Sequence, residues 1–401
     1  MNTCLQNALN QFNMQDKTAT LLGHNENMTF NVADCFLLRI HKSADSFDGC
    51  FLYQNCDRKD LYKTELDLLT FLHSKGFAVQ QPVCDKNGDY VAVLQDGSLA
   101  TALSWIDGNV IDKNSLSPAL CCDIGGMIAD LHKATSDFCA KNILHYDADF
   151  CDLLKNKLTG VQKNGIFSGW QYNTLTTVCD KIKAVLVQKA DSFVVVHGDL
   201  SFDNIIRTSD GLVPIDFSLC GCGHPMMDLS CMLSFFEDKE SKSKVIAGYE
   251  NSGGVVDTIA LNACNALNEL VGILLHIEKL ATESWFENWL DSMCKNIFIP
   301  FIENKNIFET EINLCRIERV TGMEMLFDRL CGVVYCNNDD IAQIKNDITK
   351  LEKYYTDGRW KADFEADENG LLPRTLKRGV LSEDAVYNLL CEYDNIVRGE
   401  V

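Results

Sequence analysis

Between Val194 and Leu219 the chain reads VVVHGDLSFDNIIRTSDGLVPIDFSL, and His197, Asp199, Asn204 and Asp216 stand out in an otherwise mostly apolar stretch. An Asn oxygen beside a carboxylate makes a pair of hard ligands suited to Mg2+, which leaves its other positions to water and phosphate oxygens. Asn204 and Asp216 are such a pair. A further carboxylate a few ångströms away, here Asp199, can accept a proton from a hydroxyl as that oxygen attacks phosphorus. A plain hairpin with acids in its turn accounts for two acids and an Asn. It does not account for H-x-D-x4-N followed by I-D-F with its Asp twelve residues after the Asn.

The flanking residues must position these groups. The apolar run SFVVV predicts a short buried strand that delivers His197-Gly198-Asp199 into a loop. NIIRT and LVPID flank Ser209-Asp210-Gly211; with Asp210-Gly211 as a two-residue turn, Ile205 lies opposite Asp216, and Asn204 and Asp216 meet at the open end of the hairpin. Upstream, MTFNV alternates around Phe30 and Val32, and CFLLRI (Cys35–Ile40) reads as a buried strand, with Asn25, Glu26 and Asn27 as the turn before them. Residues 60–75 predict a helix, because Glu65, Leu68, Leu69 and Leu72 share one face and Gly76 follows as a stop. One member of that inward stripe is a carboxylate. Asp96-Gly97 between YVAVL and LATALSW signals a hairpin. After Ile106–Gly108 helices dominate: a stripe of Leu116, Leu120, Ile124, Met127 and Leu131 ends at His132, further helices fill 148–190, and more run from about 227 to 300. Residues 313–401 read as a separate helical domain, with a stripe of Ile341, Ile344, Ile348 and Leu351 and a final helix capped by Ser382.

Bulk properties narrow the function classes. The 401 residues carry 46% hydrophobic and 23% charged residues, ordinary for a soluble globular chain. A net charge of −21 repels phosphate backbones, so nucleic acid is not expected as a partner. The 19 Cys have no framework spacing and the N-terminus has no apolar signal segment, which points to a reduced, cytoplasmic setting. Ile259–Ile277, interrupted by three Asn and a Glu, reads as too polar to span a membrane. Cys220, Cys222 and His224 in CGCGHP offer three soft ligands but no fourth at a zinc-like spacing, and read as a Gly-rich turn with two small buried Cys. Trp285 and Trp289 in WFENW offer aromatic faces to a cation, but read as core.

H-G-D-L-x-x-x-N, I-D-F and the following G-x-G-x-x-x-x-D-L strongly resemble the aminoglycoside phosphotransferase and choline kinase superfamily, over roughly residues 15–300. The resemblance implies an α+β, protein-kinase-like bilobal fold: a small β-rich N-lobe (1–103), a larger helical C-lobe (104–312) and, appended here, a small C-terminal all-α domain (313–401). It implies that Asp199 is the catalytic base, that Asn204 and Asp216 bind metal, that His197 braces the loop, and that Asp228 ties the following helix to it. ENMTFNV and LLRIHK are similar to the family's nucleotide flap and third strand, and SWIDG to the hinge that clasps adenine through backbone groups, taken as those of Ser104 and Ile106. The family's phosphate-holding Lys is Arg39 here. A buried carboxylate at Glu65 needs a cationic partner, which Arg39 on an adjacent strand can supply while still reaching a phosphate; Lys42 is the alternative. The flap carries no G-x-G-x-x-G.

The tail, with its W-x-x-D-x-E-x-D-E-x-G-x-L-P-x-x-L-K-R-G-V-L-S-E-D pattern, resembles a small bacterial domain family of unknown function. Asp363, Glu365 and Asp367 mimic the start of a calcium loop, but Glu368 stands where that loop needs Gly and Arg374 where it needs Glu. These acids read as a solvated face or partner surface, with LKRG (Leu376–Gly379) as opposite charge nearby. The tail is expected to dock on the helical lobe, to self-associate or to hold a protein partner. The function expected for the whole is transfer of phosphate from ATP, with Mg2+, to the hydroxyl of a small and, given the acidity, cationic molecule. The alternatives are a protein kinase, disfavoured by Ser218 after I-D-F where D-F-G would be needed, and a non-catalytic nucleotide-binding scaffold or sensor, disfavoured by the intact acids.

Overall fold

The computed structural model describes residues 2–24, 27–42, 51–52, 57–336, 341 and 343–398; of the turn expected at Asn25, Glu26 and Asn27, the first two lie outside the described residues. The chain divides into two compact units, 1–308 and 309–401.

The first unit begins with α1 (Asn2–Gln11), an element not anticipated above, then β1 (Ala19–His24), β2 (Met28–Val32), β3 (Phe36–His41), α2 (Arg58–Ser74), β4 (Pro82–Val83), β5 (Val91–Val93) and β6 (Leu99–Ser104). The strands form one antiparallel sheet in the order β1-β2-β3-β6, with β4 and β5 both pairing to β6. Strand alternation sends Phe30, Val32, Leu38 and Ile40 to one face, where Ala8, Leu9 and Phe12 of α1 complete an apolar core. The other face carries Thr29, Leu37 and Arg39, which line a cavity described below. Leu66, Leu68, Leu69 and Leu72 bury α2 on this layer, and each buried Leu contributes at most about 1.5–3 kcal/mol. The β5–β6 hairpin turns through Gln95-Asp96-Gly97, with Gly97 at φ 84°.

The helical part follows: β7 (Asn109–Val110), α3 (Pro118–Thr135), β8 (Leu144–His145), α4 (Ala148–Lys163), α5 (Gly169–Gln188), β9 (Val194–Val196), β10 (Ile205–Arg207), β11 (Leu212–Pro214), β12 (Gly221–Gly223), α6 (Met226–Ser234), α7 (Lys239–Asn251), α8 (Thr258–Leu275), α9 (Ile277–Leu280), α10 (Phe286–Met293) and α11 (Ile299–Ile302). α3 and α7 touch backbone to backbone. A Cβ on Gly125 would stand 1.9 Å from the Val245 carbonyl oxygen, and one on Gly248 2.0 Å from that of Cys122, so neither position admits a side chain. α8 is, against the sequence reading, long and apolar enough to cross a membrane, because its three Asn carry no charge; 67% of that window is buried in the fold, where it serves as a core helix. The middle of the CGCGHP run, Gly221–Gly223, is a strand rather than a turn: β12 pairs parallel to β8 and antiparallel to β9. Trp285 is 48% exposed and Trp289 half-buried, so this pair is not core; Phe286 between them is the buried ring.

The second unit contains α12 (Glu309–Cys336), α13 (Lys345–Thr356), α14 (Arg359–Glu368) and α15 (Glu383–Arg398), around a core that includes Leu330, Leu351, Tyr354, Val380 and Leu389. The acids read as a solvated face turn out to be internal. Asp363 is fully buried and accepts from Arg319 Nε at 2.8 Å, Arg319 Nη2 at 2.6 Å and the Tyr354 hydroxyl at 3.0 Å. Asp367 accepts from Arg378 Nε at 2.7 Å, and the same guanidinium donates to the carbonyls of Pro373 and Leu376. Trp360 Nε1 donates to the Val380 carbonyl at 2.7 Å. Only Glu365 of the three acids faces solvent. The tail signature is therefore largely a set of internal ties, with the Arg378 fork rigidifying the LPxxLKRG turn.

Candidate active site

β9 ends at Val196 and the chain turns sharply through His197-Gly198-Asp199. Gly198 has φ 84°, and a Cβ there would meet the Leu219 carbonyl oxygen at 2.2 Å, so the turn requires glycine. Asp228, in the first turn of α6, accepts from the His197 N–H at 2.8 Å and the Gly198 N–H at 2.9 Å. Its third partner is His132 of α3, whose Nε2 donates at 3.0 Å while Nδ1 accepts from the Tyr249 hydroxyl at 3.1 Å. Burial pushes the Asp228 carboxyl up, but the hydrogen bond and charge of His132 and the Gly198 N–H together hold it below the ordinary carboxylate range. A buried, ionised carboxylate thus fixes the loop by satisfying two of its backbone donors.

His197 links this loop to the I-D-F segment. Its Nε2 donates to the Ile215 carbonyl at 2.9 Å, and Nδ1 accepts the Asp199 N–H at 3.3 Å. Burial lowers its pKa, so the neutral imidazole with one donor and one acceptor is the form that fits. Its ring packs on Phe217, with centroids 4.4 Å apart.

The hairpin that follows differs from the expected register by two residues. Ile205 pairs with Pro214 and Arg207 with Leu212, because Ser209-Asp210 form the tip and Gly211, at φ 141°, lies beyond it. An even shift leaves each side chain on its intended face. The Asn204 carbonyl accepts from the Ile215 N–H at 2.9 Å, and both Asn204 and Asp216 line the same cavity. Asn204 Nδ2 donates to the Asp199 carbonyl at 2.8 Å and to Asp199 Oδ2 at 3.1 Å, so its Oδ1 is the atom left to face a cation. Asp216 is held at φ 62°, a conformation that disfavours side-chain-bearing residues, and its carboxylate is half-exposed. Asn204 Oδ1 and the Asp216 carboxylate are hard oxygen donors beside one cavity, and they fit Mg2+.

Arg39 of β3 stands behind Asp216. Its Nη2 lies 2.8 Å from Glu65 Oε1, with both side chains almost fully buried, and its Nη1 lies 3.5 Å from Asp216 Oδ1. Lys42 is turned away and pairs with Asp96 at the β5–β6 turn. The cavity, of about 390 Å3, has apolar walls from Leu22, Leu37, Trp105, Val110, Ile206 and Ile215, and a polar end formed by Arg39, Asn204 and Asp216. Of the two hinge residues, Ile106 lines it. Ser104 does not: its N–H donates to the Gln81 carbonyl at 2.8 Å and its own carbonyl accepts Gln80 Nε2 at 2.9 Å, which draws it into the sheet. Gln80, which lines the cavity, was not anticipated. Neither was the His132–Tyr249 support of Asp228, whose members lie 117 and 96 residues apart in the chain and share no local motif.

Residues 23–259, more than half of the chain, match the model of the phosphotransferase enzyme family, and the chain belongs to that family. Residues 321–399 match a domain of unknown function (DUF4298). A hydroxylysine kinase of Xenopus laevis is 22% identical over 247 residues; the match covers 54% of this chain and 62% of that protein, so the chain spans about three-fifths of the length of this curated relative. Among solved structures, a microcompartment-associated aminopropanol kinase superposes with a TM-score of 0.60 at 19% identity, covering 76% of this chain and 98% of the other. An amicoumacin kinase bound to AMP-PNP and Ca2+ gives 0.53 at 17% identity, covering 72% and 89%. These structural likenesses show a kinase-like fold.

Proposed function

We propose that this chain transfers the terminal phosphate of a nucleoside triphosphate, ATP in the first instance, to the hydroxyl of a small molecule carrying an amine, with Mg2+ at Asn204 and Asp216. The observation that carries the reading is the placement of Arg39, Asn204 and Asp216 at the polar end of one apolar cavity, with Asp199 held on Asn204 just beyond it. The apolar walls suit a flat base, and the Arg39 guanidinium, fixed by Glu65, suits a phosphate. Asp199, oriented by Asn204, accepts the proton of the attacking hydroxyl. Mg2+, when bound, neutralises charge developing on the phosphate oxygens.

The amine is suggested by Glu269 on α8. This carboxylate is half-buried and has no ion-pair or hydrogen-bond partner among the described residues. Burial raises its pKa, and its helix α8 packs against α6. A cation brought by a ligand would offset the cost of burying this carboxylate. The relatives named for hydroxylysine and aminopropanol are consistent with such an acceptor. The test is a screen of amino alcohols, hydroxylated amino acids and aminoglycosides with Mg·ATP and Mg·GTP, reading nucleoside diphosphate release and the mass of the phosphorylated product. A chain that binds Mg·ATP yet phosphorylates no hydroxyl compound would return the scaffold reading.

A further inference from the structure

Tyr146, almost fully buried, stands between β8 and α4. Its N–H donates to the Cys222 carbonyl at 2.8 Å, which continues the parallel pairing of β8 with β12. The next residue, Asp147, caps α4 by accepting from the N–H groups of Asp149 and Phe150 at 2.9 and 3.2 Å. The Phe150 ring meets that of Tyr146 edge on, with centroids 5.0 Å apart and planes 81° from parallel. The Tyr146 ring also lies on β12. A Cβ on Gly221 would stand 2.5 Å from the ring carbon Cε2, and one on Gly223 3.2 Å from Tyr146 Cβ. The two glycines of the G-x-G run therefore have a packing reason: they leave the space that this ring fills.

The ring aims its hydroxyl at one backbone atom. Tyr146 Oη donates to the Leu219 carbonyl oxygen at 2.6 Å. Leu219 follows Asp216 by three residues, and its carbonyl oxygen is the atom that a Cβ on Gly198 would meet at 2.2 Å; the same Cβ would stand 3.0 Å from Tyr146 Oη. Gly198 in turn precedes Asp199. The segment that carries the candidate metal ligand and the loop that carries the candidate base thus touch at one carbonyl, and a buried phenol holds that carbonyl. A hydroxyl on a packed ring fixes direction as well as distance. We infer that Tyr146 is a positioning residue for phosphoryl transfer: through the Leu219 carbonyl it sets how Asp199 stands relative to Asp216. This rests on the function proposed above. Transfer depends on the placement of the reacting groups more than on nucleotide affinity, and a misplacement of about 1 Å is enough to slow it.

The experiment follows hydrolysis of Mg·ATP, with water as the acceptor, by the full chain and by Tyr146→Phe, Asp199→Asn and the Tyr146→Phe/Asp199→Asn pair, beside calorimetric ATP binding and thermal melting. Tyr146→Phe keeps the ring on Gly221 and Phe150 and loses only the donor. It should lower kcat about tenfold at unchanged KM and ATP affinity. In the Asp199→Asn background, where no base is left to place, the loss should shrink to less than about twofold. Incorporation of 4-aminophenylalanine at position 146, which donates from an amine in the hydroxyl's place, should recover most of kcat. A Tyr146→Phe chain with parental kcat overturns the inference. So does a kcat that falls in step with ATP affinity, or a loss of the same size with and without the Asp199 carboxylate. If Tyr146→Phe fails to fold, Gly223→Ala, which crowds the ring from its Cβ and keeps the hydroxyl, decides in its place: a severalfold lower kcat at parental KM supports the positioning role, and a parental kcat overturns it. A parent chain that neither hydrolyses ATP nor phosphorylates any compound of the screen above overturns the functional reading and this inference together, whereas parental turnover indifferent to Tyr146→Phe overturns only the latter.

Discussion

Asn204 donates from Nδ2 to Oδ2 of Asp199 over 3.1 Å, so the candidate base and a candidate metal ligand orient each other across the loop. One amide holds the carboxylate's rotation with its nitrogen and keeps its oxygen for a cation. Asp199→Asn keeps the size and the contact but removes the proton acceptor. Turnover should fall about 10²–10⁴-fold with ATP affinity nearly unchanged, measured by steady-state kinetics and calorimetry. Near-normal kcat would remove the base assignment.

Asp216→Ala should weaken Mg·ATP by at least about tenfold and leave adenosine alone, because the carboxylate stands at the polar end of the cavity, where the proposed function seats the phosphates. Titrations with and without Mg2+ separate the two. Equal losses for both ligands would mean that Asp216 supports the fold, through Arg39, rather than the metal.

Glu269 gives a pH prediction. Burial raises its pKa, so it protonates at a higher pH than an ordinary carboxylate, whose value is about 4.3. Only the ionised form attracts an ammonium group. KM for an amine acceptor should therefore rise as pH falls toward that raised pKa, and Glu269→Gln should raise KM at neutral pH and flatten the profile. The sign for stability is opposite. A carboxylate with a raised folded pKa costs stability above its unfolded pKa, so Glu269→Gln should melt at the same temperature or higher. A variant that melts lower, with an unchanged KM profile, would make Glu269 a structural residue.

Asp228→Asn should cost about 3 kcal/mol in denaturant unfolding, since one carboxamide cannot accept from both loop N–H groups and also from His132. With its folded pKa depressed, Asp228 contributes stability above the ordinary carboxylate value, and that contribution is lost as pH falls through the folded pKa. The parent should therefore lose stability on acidification more steeply than the variant; parallel acid-unfolding curves would contradict this.

A chain ending at residue 308 should fold and bind Mg·ATP, because residues 1–308 form their own compact unit. Cooperative unfolding and calorimetry check it. An insoluble or unfolded product would show that the tail is part of the nucleotide-binding unit.

Much of the candidate site was legible because its spacings are local. H-x-D-x4-N and I-D-F lie within one loop and one hairpin, and the Glu65 stripe names its own anomaly, a carboxylate where apolar residues belong. The hairpin register was misjudged by two residues because several neighbouring turn residues compete for the tip. α1 carried a readable signal, Leu5, Ala8, Leu9 and Phe12 at helical spacing, but its polar remainder hid it. Asp363 was read as solvated because the partner that buries it, Arg319, lies 44 residues away and only the folded chain brings it near, whereas Arg378, which holds Asp367, lies in the LKRG run named as opposite charge. The same limit hid His132 and Tyr249.

The glycine contact between α3 and α7 reaches further than packing. Gly248 precedes Tyr249, whose hydroxyl holds His132; His132 holds Asp228, and Asp228 holds the N–H groups of His197 and Gly198. Any side chain added at Gly248 must displace α3 or α7, which carry the His132 and Tyr249 members of this relay. Loss-of-function changes mapped to Gly125 or Gly248 would then imitate allostery, with altered turnover and an untouched cavity. There is no second ligand and no second state behind such an effect, only a backbone contact whose thickness sets the height of the catalytic loop.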